Sequence, residues 1–478
     1  MLLTLSGAAM TVESIGNHLL FRTYGLDLGI YAQTAYDFGH LRVNDGTFYQ
    51  WEPYSQLADH FDLLLALLGP LTWIVRADWL LLVVQLLAVL SGASGLYLLT
   101  RDVTSSERTS ILAMLMMLCQ FGVWHALGYD YHSNVVAACQ LPWLLLFLRR
   151  RRLGAATAVL VLMAVSKETV ALWLCFVLVA LLWDYRRERR VRRWLVAATA
   201  ATAAYFIAAT QVVMPALGDR ASTGFWRYSW MGATTGEVAR WMATHPVEVL
   251  RDMFTDFTPA ADSGRLKMEF FVCALTSGVL FCLARPNYLL MLVPPVAMKM
   301  LSSDVTSFWG IAYHYNIEVC MVGCCAAVAV LARPQLQSRN LRTGIMAAAT
   351  ILALTTTLYT IGKPLTPIRK ANVNILEGGH YRQGDFDVAT VRQALSMIPD
   401  DASVCAVTPF TPHLAARDSA YIFPMGLAHD TEYWLVLKDH WCYYEGERET
   451  AASMIADTAA YHTLLTDGTV YLLKKTAK

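Results

Sequence analysis

Long apolar runs separated by short polar stretches make up most of the chain. A helix that crosses a membrane needs roughly 20 mostly apolar residues, and runs near this length recur up to residue 362. We predict spans near residues 2–21, 79–99, 110–128, 133–148, 153–166, 169–184, 194–214, 268–284, 287–301, 315–332 and 343–362. The pattern therefore predicts a mainly α protein, a polytopic membrane helical bundle with about 11 spans.

Two apolar stretches differ from an ordinary membrane span. In the first, Glu13, Asn17 and His18 interrupt the run and no basic residue precedes it, so we expect a weak first span rather than a signal peptide, with a cytoplasmic lead missing before it. The stretch 61–75 is too short for a span and contains Gly69-Pro70. We expect it to form a helix half-embedded at the outer surface.

The last part of the chain has a different pattern. Short β-type runs predict strands at 402–407, 420–424 and 433–438, and helical spacing predicts helices at 388–398 and 449–460. Asp467-Gly468 between two apolar runs predicts a hairpin over 461–475. The sequence therefore predicts a membrane domain over residues 1–364 and a small α/β domain over residues 365–478.

Arginine clusters indicate the orientation. The runs "RRRR" at 149–152 and "RRERRVRR" at 186–193 should be cytoplasmic, because loops rich in Lys and Arg stay on that side. By alternation, we expect the loops 22–78 and 215–267 outside the cytoplasm. The C-terminal α/β domain is then extracytoplasmic as well.

Composition agrees with a membrane protein. The chain is 56% hydrophobic and 16% charged, whereas soluble domains carry about a quarter charged residues. A net charge of +1 provides no basic surface for nucleic acid. Of the ten cysteines, Cys405 and Cys442 lie in the polar tail, where an oxidising compartment would allow them to pair. The sequence motifs of serine hydrolases, zinc proteases and nucleotide-binding loops are absent.

Acidic residues and histidines gather at the outward ends of the predicted spans. Asp27 follows the first span, in "YGLDLGIYAQTAYDFGH". A carboxylate there acts either as the general base that deprotonates a hydroxyl acceptor, or as the cap of a helix that begins at Leu28. The sequence leaves both alternatives open.

Two further places combine carboxylate and imidazole. Asp59 is followed by His60, and Asp130 is followed two residues later by His132. Oxygen and imidazole ligands suit a divalent cation such as Mn²⁺, Mg²⁺ or Zn²⁺. The alternative is that these four residues are ordinary polar groups at wet helix ends.

Cationic and acidic residues also lie near the outer surface. Lys167 and Glu168 form the tip of a short hairpin, where Lys167 either holds a phosphate or forms a packing salt bridge with another span. His314 lies at a membrane boundary as a supporting polar group. Arg220 and Arg227 belong to an outer loop, where they would meet lipid phosphates or an anionic substrate.

Several motifs together resemble one family of bacterial and archaeal membrane proteins, domain of unknown function 2079. They are "LDLGIYAQTAYDF", "LADHFDLLLALLGPLTWI", "YDYHSNVVAACQLPWLLLFLRRRRL", "VSKET" and "AYHYN". Two motifs depart from the family pattern, since "DHFDLL" lacks the usual proline and "SKET" carries threonine where an acid is common. The resemblance covers most of the chain and is weakest over residues 215–267.

That family is similar to the GT-C glycosyltransferase superfamily, whose members move a sugar from a polyprenyl-phosphate donor to an acceptor at the outer membrane face. The resemblance implies a GT-C-like bundle in a bacterial cytoplasmic membrane, with Asp27 at the position of the acidic residue that serves as base or metal ligand. It implies donor or metal positions at Asp59, His60, Asp130 and His132. The acceptor would be a glycan, a lipid or a protein. A transporter or flippase of lipid-linked sugars and a non-catalytic assembly factor remain the alternatives.

Overall fold

Helices make up most of the chain, and one small β-sheet lies near its end. The structure is a computed structural model that describes residues 1–43, 46–48, 55–218, 225–258, 263–361, 373–377, 379–382 and 384–476. They form two units: the first comprises Met1–Met10, Asp59–Asp62 and Gln85–Asn374, and the second comprises Thr11–Ala58, Leu63–Val84 and Ile375–Lys478. The boundary predicted between residues 364 and 365 lies outside the described residues.

The part of the chain that the structure describes contains 22 α-helices. In chain order they are α1 (Leu2–Leu19), α2 (Ile30–Gly39), α3 (Gln56–Asp59), α4 (Leu63–Leu68), α5 (Ala77–Thr104), α6 (Glu107–Leu118), α7 (Phe121–Leu127), α8 (Ser133–Ala138), α9 (Leu141–Arg149), α10 (Leu153–Ala164), α11 (Glu168–Asp184), α12 (Arg189–Ala208), α13 (Met214–Leu217), α14 (Thr235–Thr244), α15 (Pro246–Phe254), α16 (Ser263–Ala274), α17 (Leu280–Ala284), α18 (Asn287–Met300), α19 (Ile317–Leu331), α20 (Arg339–Thr360), α21 (Val388–Met397) and α22 (Glu447–Ala456).

A helix lies at every predicted span, but many of these helices are short. In the part of the chain that the structure describes, four helical stretches are long and apolar enough to cross a membrane, and the pair α6 and α7, bent by 47°, would make a fifth. The four are Ala77–Thr104, Arg189–Leu217, Arg265–Ala284 and Arg339–Thr360. The predicted number of spans is therefore not confirmed. The helix α10, for example, has 12 residues, well short of the roughly 20 that a crossing needs.

The helix α19 forms the centre of the first unit, and nearly all of its residues are buried. Gly323 of this helix meets Gly278 of the π-helical segment Leu275–Val279. A Cβ on Gly278 would lie 2.9 Å from the carbonyl carbon of Gly323, and Gly278 has a φ of 115°. Glycine is therefore required where these two backbones touch.

The second unit contains a five-stranded sheet. Its strands are β1 (Val404–Ala406), β2 (Ala420–Ile422), β3 (Tyr433–Leu437), β4 (Tyr461–Thr466) and β5 (Val470–Lys475), in the order β2-β1-β3-β5-β4. The strand β1 pairs in parallel with β2 and β3, and β5 pairs antiparallel with β3 and β4. The strands and helices predicted for the tail are thus present, close to their predicted bounds.

The predicted hairpin joins β4 to β5. The Asp467 carboxylate accepts hydrogen bonds from the backbone N–H groups of Thr469 and Val470, both at 2.8 Å, and Gly468 has a φ of 89°. Cys405 and Cys442, for which the sequence left pairing open, are both free thiols. Cys405 lies fully buried in β1, where it packs as a small apolar side chain.

Candidate functional site

A chain of three polar side chains lies in the first unit. The Lys167 Nζ is 3.2 Å from the His60 Nε2, and the His60 Nδ1 is 3.4 Å from the Glu168 Oε1. The other oxygen of Glu168 accepts a hydrogen bond from the backbone N–H of Phe61 at 2.9 Å. Glu168 is the first residue of α11 and is buried, whereas His60 and Lys167 are half-buried. The hairpin tip and the segment after α3 are thus held together through one histidine.

The donors and acceptors in this chain determine the state of His60. A lysine ammonium has hydrogens to donate and no lone pair to accept with. The His60 Nε2 therefore accepts from Lys167, and the His60 Nδ1 carries the hydrogen that it donates to Glu168. Lys167 keeps the hydrogens that this contact does not use, and they remain able to bind an anion.

A second set of polar contacts lies beside this chain. Asp62 is buried, and its Oδ2 accepts a hydrogen bond from the Ser133 Oγ at the start of α8. The Tyr131 hydroxyl is 3.0 Å from the same Ser133 oxygen. Asp62, Ser133 and Tyr131 therefore join the segment 59–62 to the segment that precedes α8.

Two histidines stack next to each other in the same unit. The rings of His132 and His314 have centroids 3.5 Å apart with an interplanar angle of 21°, and Tyr129 stacks on both. Gln85 of α5 holds this segment, because its side-chain oxygen accepts from the His132 N–H at 2.8 Å and its amide donates to the Asp130 carbonyl at 2.7 Å. Asp130 has a φ of 65°, which directs the chain into this arrangement.

Other basic side chains lie around His314. The pKa of His314 is held well below its ordinary value by burial first, and then by His132, Lys167, His60 and Lys299. The ring is therefore neutral at pH 7, and its Nδ1 has no hydrogen-bond partner among the described residues. An anion with several oxygens, such as a phosphate, would accept hydrogen bonds from the Lys167 ammonium and from imidazole N–H groups.

Asp27 belongs to the second unit. It lies half-buried in a π-helical turn, Gly25–Gly29, which runs directly into α2. The Gly25 N–H donates to both the carbonyl and the hydroxyl oxygen of Thr408, each at 2.9 Å. A Cβ on Gly25 would lie 2.8 Å from the Cδ1 of Ile422, so the turn is seated closely on the segment around β2.

The capping alternative for Asp27 is wrong. The helix does not begin at Leu28, and the residues at the two N-terminal caps are Tyr24 and Gly29. Neither cap residue forms a side-chain cap hydrogen bond. Asp27 instead lies inside the π-helical turn and not at the start of a helix.

The remaining predicted site residues have varied surroundings. Arg227 forms an ion pair with Asp304, at 3.4 Å, and its guanidinium lies 4.8 Å from the centroid of the Phe308 ring. Arg220 lies outside the described residues. Asp59 is half-buried at the end of α3. The cation site at Asp59, His60, Asp130 and His132 stays a prediction, and a metal ion on His60 would have to replace one of its two present contacts.

Sequence reasoning missed several polar residues of this region. Besides Gln85, the Asn134 amide donates to the Glu318 Oε1 at 2.8 Å, and the Lys299 ammonium donates to the Gly310 carbonyl at 2.6 Å. Lys299 is 1% exposed. Each of these residues is a single polar position within or beside an apolar run. Such isolated polar positions could have pointed to the site, because an ionisable residue within a membrane is energetically costly and is commonly functional.

The chain is similar to a family of membrane proteins in sequence and to solved structures in fold. The family model described as "Predicted membrane protein (DUF2079)" matches residues 17–454. The fold is similar to the crystal structure of ArnT from Cupriavidus metallidurans bound to undecaprenyl phosphate, with a TM-score of 0.53, 11% identity, and coverage of 98% of this chain and 97% of that chain. The oligosaccharyltransferase of Archaeoglobus fulgidus in complex with Zn and sulfate gives a TM-score of 0.44 at 13% identity, covering 99% of this chain and 73% of that chain. No curated protein matches.

Proposed function

Because the chain belongs to the DUF2079 family of predicted membrane proteins, with a fold like that of the GT-C glycosyltransferases, we propose that it is a membrane glycosyltransferase. It moves a sugar from a polyprenyl-phosphate donor to a glycan, lipid or protein acceptor at the extracytoplasmic face. The observation that carries this proposal is the cluster of Lys167, His60, His132 and His314 in a bundle of apolar helices.

Lys167 binds the phosphate of the donor. Its ammonium retains free hydrogens after the contact with His60, and Glu168 fixes the orientation of that histidine. His132 and His314 supply further nitrogens on the neighbouring segments. A phosphate monoester in this place would accept hydrogen bonds from the Lys167 ammonium and from imidazole N–H groups.

An apolar groove beside the cluster accommodates the prenyl tail. The groove has a volume of about 370 Å³ and is lined by α10 and α12, including Leu160, Ala201 and Tyr205. Tyr205 lies at one end, and its ring centroid is 5.9 Å from that of Phe61, the neighbour of His60. A lipid with its phosphate at Lys167 would therefore have an apolar path along these two helices.

Asp27 is the general base. In the reaction, the bond from the anomeric carbon to the phosphate oxygen breaks and a bond to the acceptor oxygen forms, with inversion at that carbon. The Asp27 carboxylate takes the proton of the acceptor hydroxyl, and polyprenyl phosphate leaves with the electron pair of the broken bond. The C-terminal domain, residues 365–478, presents the acceptor.

Reconstituted full-length protein tests this proposal. Vesicles would contain undecaprenyl-phosphate-linked hexoses or pentoses, and mass spectrometry would follow the release of undecaprenyl phosphate in the presence of cell-envelope acceptor fractions. We expect wild-type protein to consume at least one donor. Asp27→Asn should lower the rate by about 10²-fold or more, the usual contribution of a general base. The control is Asp401→Asn, which changes an exposed aspartate of the second unit.

The outcomes separate the alternatives. An unchanged rate in Asp27→Asn overturns the assignment of the base while leaving the transferase intact. A wild-type protein that consumes none of the donors overturns the transferase. If it instead moves an intact labelled donor between the two leaflets, the protein is a flippase of lipid-linked sugars.

A further inference from the structure

A group of two histidines and one aspartate lies in the second unit, in residues to which the proposed reaction gives no role. His18 comes from the end of α1, Asp78 from the first turn of α5, and His413 from the 3-10 helix Thr411–Leu414. Within the described ranges, these three form a group whose ligand atoms all lie within 4.8 Å of one another. His18 and Asp78 are 0% and 2% exposed.

The distances suit a small transition-metal ion. A zinc ion bound at roughly 2.0–2.2 Å by tetrahedral ligands holds the ligand atoms about 3.3–3.6 Å apart. The His18 Nε2 and the Asp78 Oδ2 are 3.1 Å apart, close to this spacing. The His413 ring lies nearly parallel to the His18 ring, at an interplanar angle of 10° with centroids 4.1 Å apart, so the His413 ring would turn out of this stack to direct a nitrogen at the same ion.

His413 provides a second, independent observation. Its Nε2 is buried and has no hydrogen-bond partner among the residues that the structure describes. A buried ring nitrogen without a partner is unfavourable, and binding a metal ion is one of the ways to satisfy it. Ring stacking alone gives this nitrogen no partner.

The surroundings orient the other two ligands. The His18 Nδ1 is 2.8 Å from the Thr23 Oγ1, so that His18 is held with its Nε2 towards Asp78. Metal-bound histidines commonly use their second nitrogen in this way, which fixes the tautomer and the ring. Arg76 contacts Asp78 at 2.7 Å and also donates to the His413 carbonyl at 2.9 Å.

Arg76 is the charged group that opposes a cation here. Its side chain is 52% exposed, so water screens its charge, whereas the three ligands are largely enclosed. Two imidazoles and one carboxylate favour Zn²⁺ over Mg²⁺ or Ca²⁺, which prefer oxygen ligands. Three protein ligands leave a fourth position for water.

We propose that His18, Asp78 and His413 bind one Zn²⁺ ion, which links α1, the start of α5 and the 3-10 helix Thr411–Leu414 within the second unit. This ion has a structural role and is separate from the proposed transfer reaction. Its presence would stabilise the second unit by binding the folded state and not the unfolded chain.

Metal binding by the full-length protein tests this site. Tag-free protein in detergent would be stripped with a chelator, titrated with Zn²⁺ in a calorimeter, and analysed for bound metal by mass spectrometry. We expect one Zn²⁺ per chain and a higher Tm with Zn²⁺ than without. His413→Ala should weaken binding by about 100-fold or more, and Thr23→Val by about 10-fold or more.

The control variant is His429→Ala. His429 is also half-buried and also stacks on an aromatic ring, that of Tyr421, at 4.3 Å. Stoichiometric Zn²⁺ in this control and its loss in His413→Ala support the site. Wild-type protein that binds no stoichiometric Zn²⁺, or equal binding in His413→Ala, overturns the proposal. The effect of Zn²⁺ on the wild-type Tm decides the question even if a variant fails to fold.

Discussion

Glu168→Gln is the substitution that tests the candidate site most directly. The glutamine has the same shape, so its oxygen keeps the hydrogen bond from the Phe61 N–H at about the present position. Its amide group then faces the His60 Nδ1, which also carries a hydrogen. Moving the His60 hydrogen from Nδ1 to Nε2 does not remove this clash of two donors, because Lys167 donates a hydrogen bond to Nε2.

The size of the effect follows from these contacts. A hydrogen bond to a charged acceptor contributes about 1.5–3 kcal/mol and one between neutral groups about 0.5–1.5 kcal/mol, so the Phe61 contact loses about 1 kcal/mol. The unsatisfied donor pair at His60 adds about 1–3 kcal/mol. The free energy of unfolding should therefore fall by about 2–4 kcal/mol, which lowers Tm by about 4–8 °C for a unit of this size.

Thermal unfolding of the detergent-solubilised protein measures this change. The matched control is Glu188→Gln, since Glu188 pairs with Arg151 at an exposed position where such a pair contributes at most about 1 kcal/mol. A Tm of Glu168→Gln within about 1 °C of this control would refute the hydrogen-bond assignment. Combining Glu168→Gln with His60→Leu removes the donor that faces the glutamine. The free energy of unfolding of the double variant should therefore fall by less than the sum of the decreases in the two single variants.

Three further results are expected. Lys167→Met should lower kcat/KM for a polyprenyl-phosphate donor by about 10-fold or more, while Lys167→Arg, which keeps the charge, should lower it less; equal losses in steady-state assays would argue against a phosphate contact. Ala201→Trp fills the groove and should weaken binding of undecaprenyl phosphate, measured by native mass spectrometry, whereas Ala200→Trp changes an exposed neighbour that does not line the groove and should not. The pKa of His380 is lowered to about 4 by burial and then by Arg22. As the pH falls below 6.5, His380 is therefore protonated in the unfolded chain before it is protonated in the folded protein. Stability should fall between pH 6.5 and pH 4, and His380→Gln should flatten this part of a Tm-versus-pH curve; an unchanged slope would contradict the assignment.

Local pattern predicted much of the secondary structure. Each apolar run contains a helix, and the strands and hairpin of the tail lie near their predicted places, because periodicity and turn residues act over a few positions. The predicted number of spans is not confirmed, because several helices at the predicted spans are short: α10 is apolar yet has only 12 residues. The sequence left open whether Lys167 holds a phosphate or forms a salt bridge with another span, and in the structure Lys167 contacts His60.

Long-range partners account for what sequence reasoning did not predict. Gln85 meets His132 across 47 positions, and Asn134 meets Glu318 across 184. Neither Gln85 nor Asn134 belongs to a local motif, and each forms its hydrogen bond with a residue that is distant in the sequence. The group of His18, Asp78 and His413 likewise joins three distant segments.

The packing of the Asp27 turn against the C-terminal part of the chain has a practical consequence. Gly25 is fixed to Thr408 and packs on Ile422, so residues near both ends of the chain make up one folding unit. Removing the tail would deprive this turn of its support and would misplace Asp27 together with any acceptor contacts. A truncated protein would thus be unsuitable for assigning acceptor choice, and chimeras that exchange the tail between relatives should exchange residues 11–58 with it.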